Sequence, residues 1–171
     1  MGQLASWRHC PLCGSELEIG DGGAKAECTR CDFRHYASSQ LTACAIVVDD
    51  GKVLLTRRGG PPFEGRWDLP GGFVAEGEHP KEAVQRELQE ETGLDIEPAD
   101  LVGIWMDHYS EDDSGPSTMN LYFTATSRGG GGEPADDVSE LRWASPDDFP
   151  AADELAFHIA DVLRAWRDQH P

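Results

Sequence analysis

The chain has 171 residues, 39% of them hydrophobic, enough for one buried core and a small appendage. Its 32 acidic residues outnumber 14 basic ones and leave a formal net charge of -18, so the average surface repels a polyanion and nucleic acid is disfavoured as a partner. No apolar run reaches the ~18 residues that span a bilayer, and the N-terminus lacks the apolar stretch of a signal peptide, so the expectation is a soluble cytoplasmic protein without a membrane partner.

Residues 1–38 stand apart from the rest. They hold four of the five cysteines, as Cys10-Pro-Leu-Cys13 and Cys28-Thr-Arg-Cys31, separated by the turn Gly20-Asp-Gly-Gly23. Each pair can close on one ion from a tight turn, and four thiolates complete a tetrahedral Zn2+ shell with no open position. The spacing between the pairs is one residue short of the usual zinc-ribbon range. Disulfides do not suit a reducing compartment, and a redox motif uses one pair rather than two. A segment this short lacks apolar residues for its own core, so a structural zinc is expected to supply its folding energy. Cys44 lies in an apolar run and reads as a buried small hydrophobe.

From position 39 to 171 a second domain is expected. Leu41–Val48 reads as a strand, Asp49-Asp-Gly-Lys52 as a hairpin turn and Val53–Arg57 as the return strand. Gly59-Gly-Pro-Pro62 begins a loop. A helix is expected from Pro80 to Glu91, with proline in its first turn and Gly93 as its C-terminal cap. Further strands are expected at Leu101–Asp107, Met119–Thr126 and Glu140–Ala144. Loops are expected at 114–117 and 127–134. Leu155, Ile159, Val162, Leu163 and Trp166 recur at helical spacing and predict a closing amphipathic helix. The pattern is mixed α/β, with helices packed on a sheet.

The helix from Pro80 carries the second chemical constellation. Glu87, Glu90 and Glu91 are spaced i, i+3, i+4 and share one face. They repel one another, and they lie in the last turns, where the macrodipole disfavours anions. Divalent cations would remove both penalties, and hard carboxylate oxygens suit Mg2+ or Mn2+. A solvated acidic face is the alternative from spacing alone. The glycines at 71 and 72 let backbone approach the acidic face closely.

The run from Gly72 through Glu78 and Arg86-Glu87-Leu88-Gln89-Glu90-Glu91-Thr92-Gly93-Leu94 resembles the Nudix box, G-x5-E-x7-R-E-U-x-E-E-x-G-U with U aliphatic, at every specified position. The resemblance extends from about Leu41 to the end. It implies a Nudix-type α/β/α sandwich, a mixed β-sheet between helices, here preceded by a small zinc-ribbon β module similar to that of NADH pyrophosphatases. It implies Mg2+ bound by Glu87, Glu90 and Glu91, helped by the Gly71 carbonyl, with Arg86 and Glu78 bracing the loop against the helix. Glu140 stands where several members place an outlying carboxylate, as an extra Mg2+ ligand or a base, while an ordinary surface residue at a strand end is the equal alternative. The implied reaction is attack by metal-activated water, with Glu87 or Glu90 as base, on the diphosphate of a small-molecule nucleoside diphosphate derivative.

Arg57, Arg58 and Arg66 flank the loop before the box and suit phosphate oxygens, while Phe63 and Trp67 suit a base. Salt bridges and core packing are the plainer readings of the same residues. The Ser-Gln-Pro-Trp-like run of NADH pyrophosphatases is absent, and the region reads Gly103-Ile-Trp-Met-Asp-His-Tyr-Ser110. The proline that ADP-ribose enzymes carry about fifteen residues past the box is absent too, position 109 being Tyr. ADP-ribose or a related derivative is the favoured substrate and NADH the next. The resemblance also admits a homodimer. A Nudix domain that binds a nucleotide without cleaving it is the alternative reading, though such domains usually lose box glutamates and this chain keeps them all. An isopentenyl-diphosphate isomerase would need a catalytic cysteine, for which Cys44 is the unpaired candidate.

Overall fold

The computed structural model describes residues 2–130 and 132–169. The chain divides after Ser39 into two compact units. In the first, β1 (Leu17–Gly20), β2 (Lys25–Cys28) and β3 (Arg34–Tyr36) form an antiparallel sheet in that order. Its buried apolar residues are Leu4, Cys10 and Ala26. Trp7 stacks on His35 with ring centroids 5.3 Å apart, and Phe33 flanks the same imidazole. That is a thin core.

The second unit is built on a mixed sheet. Its strands are β4 (Gln40–Asp49), β5 (Lys52–Arg58), β6 (Trp67–Asp68), β7 (Gly71–Phe73), β8 (Leu94–His108), β9 (Ser117–Gly130) and β10 (Val138–Ala144). The main order is β10-β5-β4-β9-β8, with β4 and β9 parallel and the other neighbours antiparallel. Helix α1 (Pro80–Thr92) starts on a His79 cap and ends on Gly93, whose left-handed φ of 69° lets its amide bond back to Gln89. Helix α2 (Ile159–Gln169) closes the chain.

Alternation along β4 explains the layers. Ala43, Ala45 and Val47 face one way and pack with Val84 and Leu88 of α1. Cys44 and Ile46 face the other way and pack with Ile159, Val162, Leu163 and Trp166 of α2. A strand buried on both faces between two helices gives a three-layered α/β/α sandwich, the architecture that the resemblance implies.

Three elements differ from the sequence reading. The glycine-rich stretch expected as a loop from 127 is strand as far as Gly130, because Ser127, Gly129 and Gly130 pair with Ile96, Asp95 and Leu94; Gly131 lies outside the described residues. β8 begins at Leu94, seven residues early, and carries Pro98 at a register irregularity, where a missing amide donor is tolerated. Leu155 precedes α2 instead of belonging to it. It is buried beside Trp67, in a parallel bridge that the Ala156 amide reinforces by donating to the Trp67 carbonyl.

Candidate functional site: an acidic pocket in a split sheet

β4 and β5 pair only at the two residue pairs nearest their turn, Val48–Val53 and Asp49–Lys52. Beyond that they part, β7 pairing with β4 and β6 with β5. The split opens a pocket of about 180 Å3. Typical ligand pockets hold roughly 300–1,000 Å3, so this one is small and can enclose only part of a larger ligand.

Helix α1 presents its acidic face to the pocket beside Gly71 and Gly72. A β-carbon on Gly72 would sit 2.5 Å from the Glu87 carboxyl carbon, so only glycine allows that approach. Gly71 has φ 142° and lies against Ala43 and Cys44, which also leaves no space for a side chain. Its amide donates to the Glu91 carboxylate at 3.0 Å. Glu91 is 6% exposed; burial first, then the charge of Asp137, pushes its carboxyl well above the ordinary range, despite the Gly71 amide. Burial likewise raises Glu87, against the opposing pull of Arg86.

Arg86 ties the loop to the helix. Its Nε and Nη2 donate to the two oxygens of Glu78 at 2.9 and 3.0 Å, Nη2 reaches the Phe73 carbonyl at 3.1 Å, and Nη1 reaches Glu87 at 2.8 Å. The guanidinium beside Glu78 holds that carboxyl down at about 2. Glu90 lies one step round the helix. It is half-exposed, bonds Arg86 Nη1 at 3.2 Å and does not line the pocket.

The chain after β9 brings a further carboxylate. The Gly132 and Ala135 amides donate to the Thr92 and Glu91 carbonyls, capping the C-terminal end of α1. The Gly59 amide holds the Asp137 carbonyl at 2.7 Å. Asp136 and Asp137 thereby line the pocket, and Asp137 stands close enough to Glu91 and Glu87 to raise both. Glu140 does not line it. That side chain pairs with Arg57 at 3.0 Å, both half-exposed. Sequence reasoning passed over Asp137. The Asp136-Asp137 run lies in the turn before β10 and Glu140 inside that strand, and choosing between them needs the long-range bond from Gly59 that holds the turn.

The loop residues sort similarly. Arg58 lines the pocket, with Nη1 3.1 Å from Asp68, Nη2 3.0 Å from the Tyr109 hydroxyl and Nε on the Pro62 carbonyl. Burial raises Asp68 even against that cation. Arg57 and Arg142 lie over the Trp67 ring, and Trp67 is core, 8% exposed. Arg66 lies over Phe63 and donates to the Leu155 carbonyl. Arg57, Arg66, Phe63 and Trp67 are outside the pocket lining. Among the described residues, the lining holds five carboxylates, Asp68, Glu87, Glu91, Asp136 and Asp137, against one cation, Arg58, already paired.

A family model described as NUDIX domain matches residues 38–166. The chain belongs to the Nudix hydrolase family. It is 34% identical over 136 residues to an ADP-ribose pyrophosphatase of Methanocaldococcus jannaschii, covering 78% of this chain and 76% of that protein. It is 29% identical to the NAD-capped RNA hydrolase NudC of Stutzerimonas stutzeri over 99% of this chain, but spans only 62% of that relative. The crystal structure of a NUDIX hydrolase from Nitrosomonas europaea superposes with a TM-score of 0.78 at 25% identity, covering 95% of this chain and 92% of that one. With these likenesses the pocket falls to a hydrolase, and the isomerase alternative loses its footing. Burial among Asp68, Glu91 and Glu87 keeps the Cys44 thiol protonated, with its pKa pushed well above normal.

The first unit of this Nudix protein holds the other cluster. Sγ of Cys10 lies 3.6 Å from that of Cys31, and Sγ of Cys13 3.5 Å from that of Cys28, with all four sulfurs within 4.8 Å of one another. Tetrahedral Zn–S bonds of ~2.3 Å imply S···S separations of about 3.8 Å, so the thiols fit one ion. The Leu12 and Arg30 amides donate to Cys10 and Cys28 at 3.4 Å and orient those sulfurs. Hydrogen bonds from Ser15 lower Cys13 to about 6. The Phe33 amide pulls Cys31 down, yet burial and the neighbouring thiols outweigh it and push it up to about 12. A cation is what would let all four ionise together.

Proposed function

We propose that this Nudix hydrolase cleaves the diphosphate of a nucleoside diphosphate joined to a second moiety, with ADP-ribose the favoured substrate and NADH the next. The observation that carries this reading is the charge of the pocket. With Asp68 and Arg58 neutralising each other, four further acidic groups, Glu87, Glu91, Asp136 and Asp137, oppose a diphosphate in the pocket, so substrate entry requires divalent cations. When bound, Mg2+ or Mn2+ neutralises the diphosphate and acidifies a coordinated water.

Glu91, Glu87 and Asp137 are the ligands this geometry favours, with Glu90 at the margin and Asp137 preferred over Glu140 because it lines the pocket. The Gly71 amide fixes the orientation of Glu91. Arg86 holds Glu78 and Glu87 together and keeps the glycine loop against α1. Glu87 lines the pocket and Glu90 does not, so Glu87 is the better placed to take the proton of the attacking water. Arg58 serves the wall of the pocket through Asp68 and Tyr109, not phosphate. The four cysteines hold a structural zinc, and the cytoplasm is the compartment that keeps such thiols reduced.

Product release from ADP-ribose, NADH, nucleotide sugars and nucleoside triphosphates, each with Mg2+ and Mn2+, tests the reading, with Glu91→Gln and Glu90→Gln as controls. Cleavage of one diphosphate class that Glu91→Gln abolishes supports it. A nucleotide that raises the melting temperature without being cleaved would favour the silent-binder alternative.

A further inference from the structure

Part of the pocket lining is an aromatic wall. Phe73 of β7, Tyr109 just after β8 and Phe157 just before α2 line that wall. Phe73 meets Tyr109 edge-on with centroids 5.4 Å apart, and Tyr109 lies nearly parallel to Phe157 at 5.8 Å. Phe73 is 39% exposed, and the other two rings are half-buried. The Arg58 guanidinium sits over both Tyr109 and Phe157, at 5.7 and 5.2 Å from their centroids. Three lining rings from three separate segments meet here, with Phe63 packed edge-on against Phe157 at 4.6 Å, and with a cation over two of them that is itself neutralised by Asp68.

Phe157 occupies a left-handed backbone conformation, φ 44°, which non-glycine residues avoid unless their surroundings impose it. The next residue shows what imposes it. His158 Nδ1 lies 2.6 Å from Asp107 Oδ2, and its Nε2 lies 3.0 Å from the Tyr122 hydroxyl. A carboxylate only accepts, so Nδ1 carries the proton, and Nε2 shares a hydrogen bond with the Tyr122 hydroxyl. The His158 side chain is 12% exposed, and Trp105 lies flat over it at an interplanar angle of 7°. An imidazole fixed at both nitrogens and on one face anchors the segment that carries Phe157.

We propose that Tyr109 and Phe157, with Phe73 at their edge, form the platform on which the nucleobase of the substrate stacks, and that Asp107, His158 and Tyr122 are positioning residues that hold Phe157 in place. A neutral planar ring is the part of a nucleotide that needs no cation to enter an acidic pocket, and its π-face suits an aromatic wall. The buried polar groups beside the wall are committed to each other, Thr42 to Asn120 at 2.6 Å and Asn120 to Thr118 at 3.1 Å. The platform therefore selects for the presence of a base more than for its identity. The inference rests on the hydrolase reading for its substrate class alone.

Calorimetric titration of the whole protein with AMP and with ribose 5-phosphate, both in Mg2+, tests it without turnover. Wild type binds AMP the more tightly. Phe157→Ala reduces that preference by about 5- to 150-fold, the range for losing one base–aromatic stack, and Phe157→Trp retains it. His158→Ala lowers the same ratio while its affinity for ribose 5-phosphate holds. Equal or undetectable binding of both ligands by wild type, or an undiminished preference in Phe157→Ala, overturns the platform. A loss in His158→Ala that is equal for both ligands overturns the positioning role. Absence of turnover with the base preference intact would sink the hydrolase reading and leave the platform standing.

Discussion

The two units gather metal-binding side chains in opposite ways. The first surrounds one point with four soft thiols and has Leu4, Cys10 and Ala26 as its buried apolar residues. The second gathers hard carboxylates on one side of an open pocket, behind two apolar clusters that pack both faces of a sheet. Where the core is thin, the proposed zinc would be part of the fold. Where the core is complete, the fold can hold acidic groups close together through bonds such as Gly71 to Glu91 and Arg86 to Glu87, and under the proposed function an ion would belong to the chemistry.

Metal removal sharpens this contrast most. A structural zinc contributes about 10–16 kcal/mol in small zinc domains. Chelation, or Cys28→Ser, should therefore abolish amide-exchange protection in residues 1–39 and leave that of β4 and β9 in place. Loss of protection in both units together would break the comparison. Next in size is chemistry. Glu91→Gln and Asp137→Asn should each reduce turnover about 100-fold or more, on the scale of a lost catalytic carboxylate. Glu140→Gln, which loses a surface ion pair, should cost at most about 1 kcal/mol of stability, read from urea denaturation, and leave turnover near normal.

A smaller effect concerns pH. Glu91, Glu87 and Asp68 are raised in the folded state. The folded protein therefore binds protons more tightly than the unfolded chain, and the stability this gives is lost as pH rises above the ordinary carboxylate range. Glu78 runs the other way: its contribution is present above that range and fades as pH falls toward about 2. The melting temperature of metal-free protein should thus decline between about pH 5 and pH 8, and Mg2+ should raise it more at the upper end. An Mg2+ effect independent of pH would argue that the raised carboxylates are not its ligands. Smallest is salt: with a net charge of -18, the second unit should melt higher in ~1 M salt, where the Debye length is about 3 Å.

Much of this was legible along the chain because the signals are local. Helix α1 announces itself through its proline, its Gly93 cap and its apolar period, and the four cysteines through their doubled spacing. Glu87, Glu91 and the glycines at 71 and 72 lie within one loop and helix, so spacing alone brings them together. Tertiary structure decided the rest. Whether Asp137 or Glu140 reaches the pocket depends on how the turn before β10 is held, which the Gly59 amide does by bonding the Asp137 carbonyl from a distant loop. Glu90 shares a helix face with Glu91 in sequence, yet Arg86 holds it at the margin. Trp67 and Arg58 look available in a loop, and burial commits one to the core and the other to Asp68. Tyr122, His158 and Asp107 are far apart in the chain and leave no short-range pattern; only the packing of α2 against the sheet brings them within hydrogen-bonding distance. Local spacing determined which residue types are present for metal chemistry, while long-range packing, which spacing cannot encode, determined which of them face the pocket.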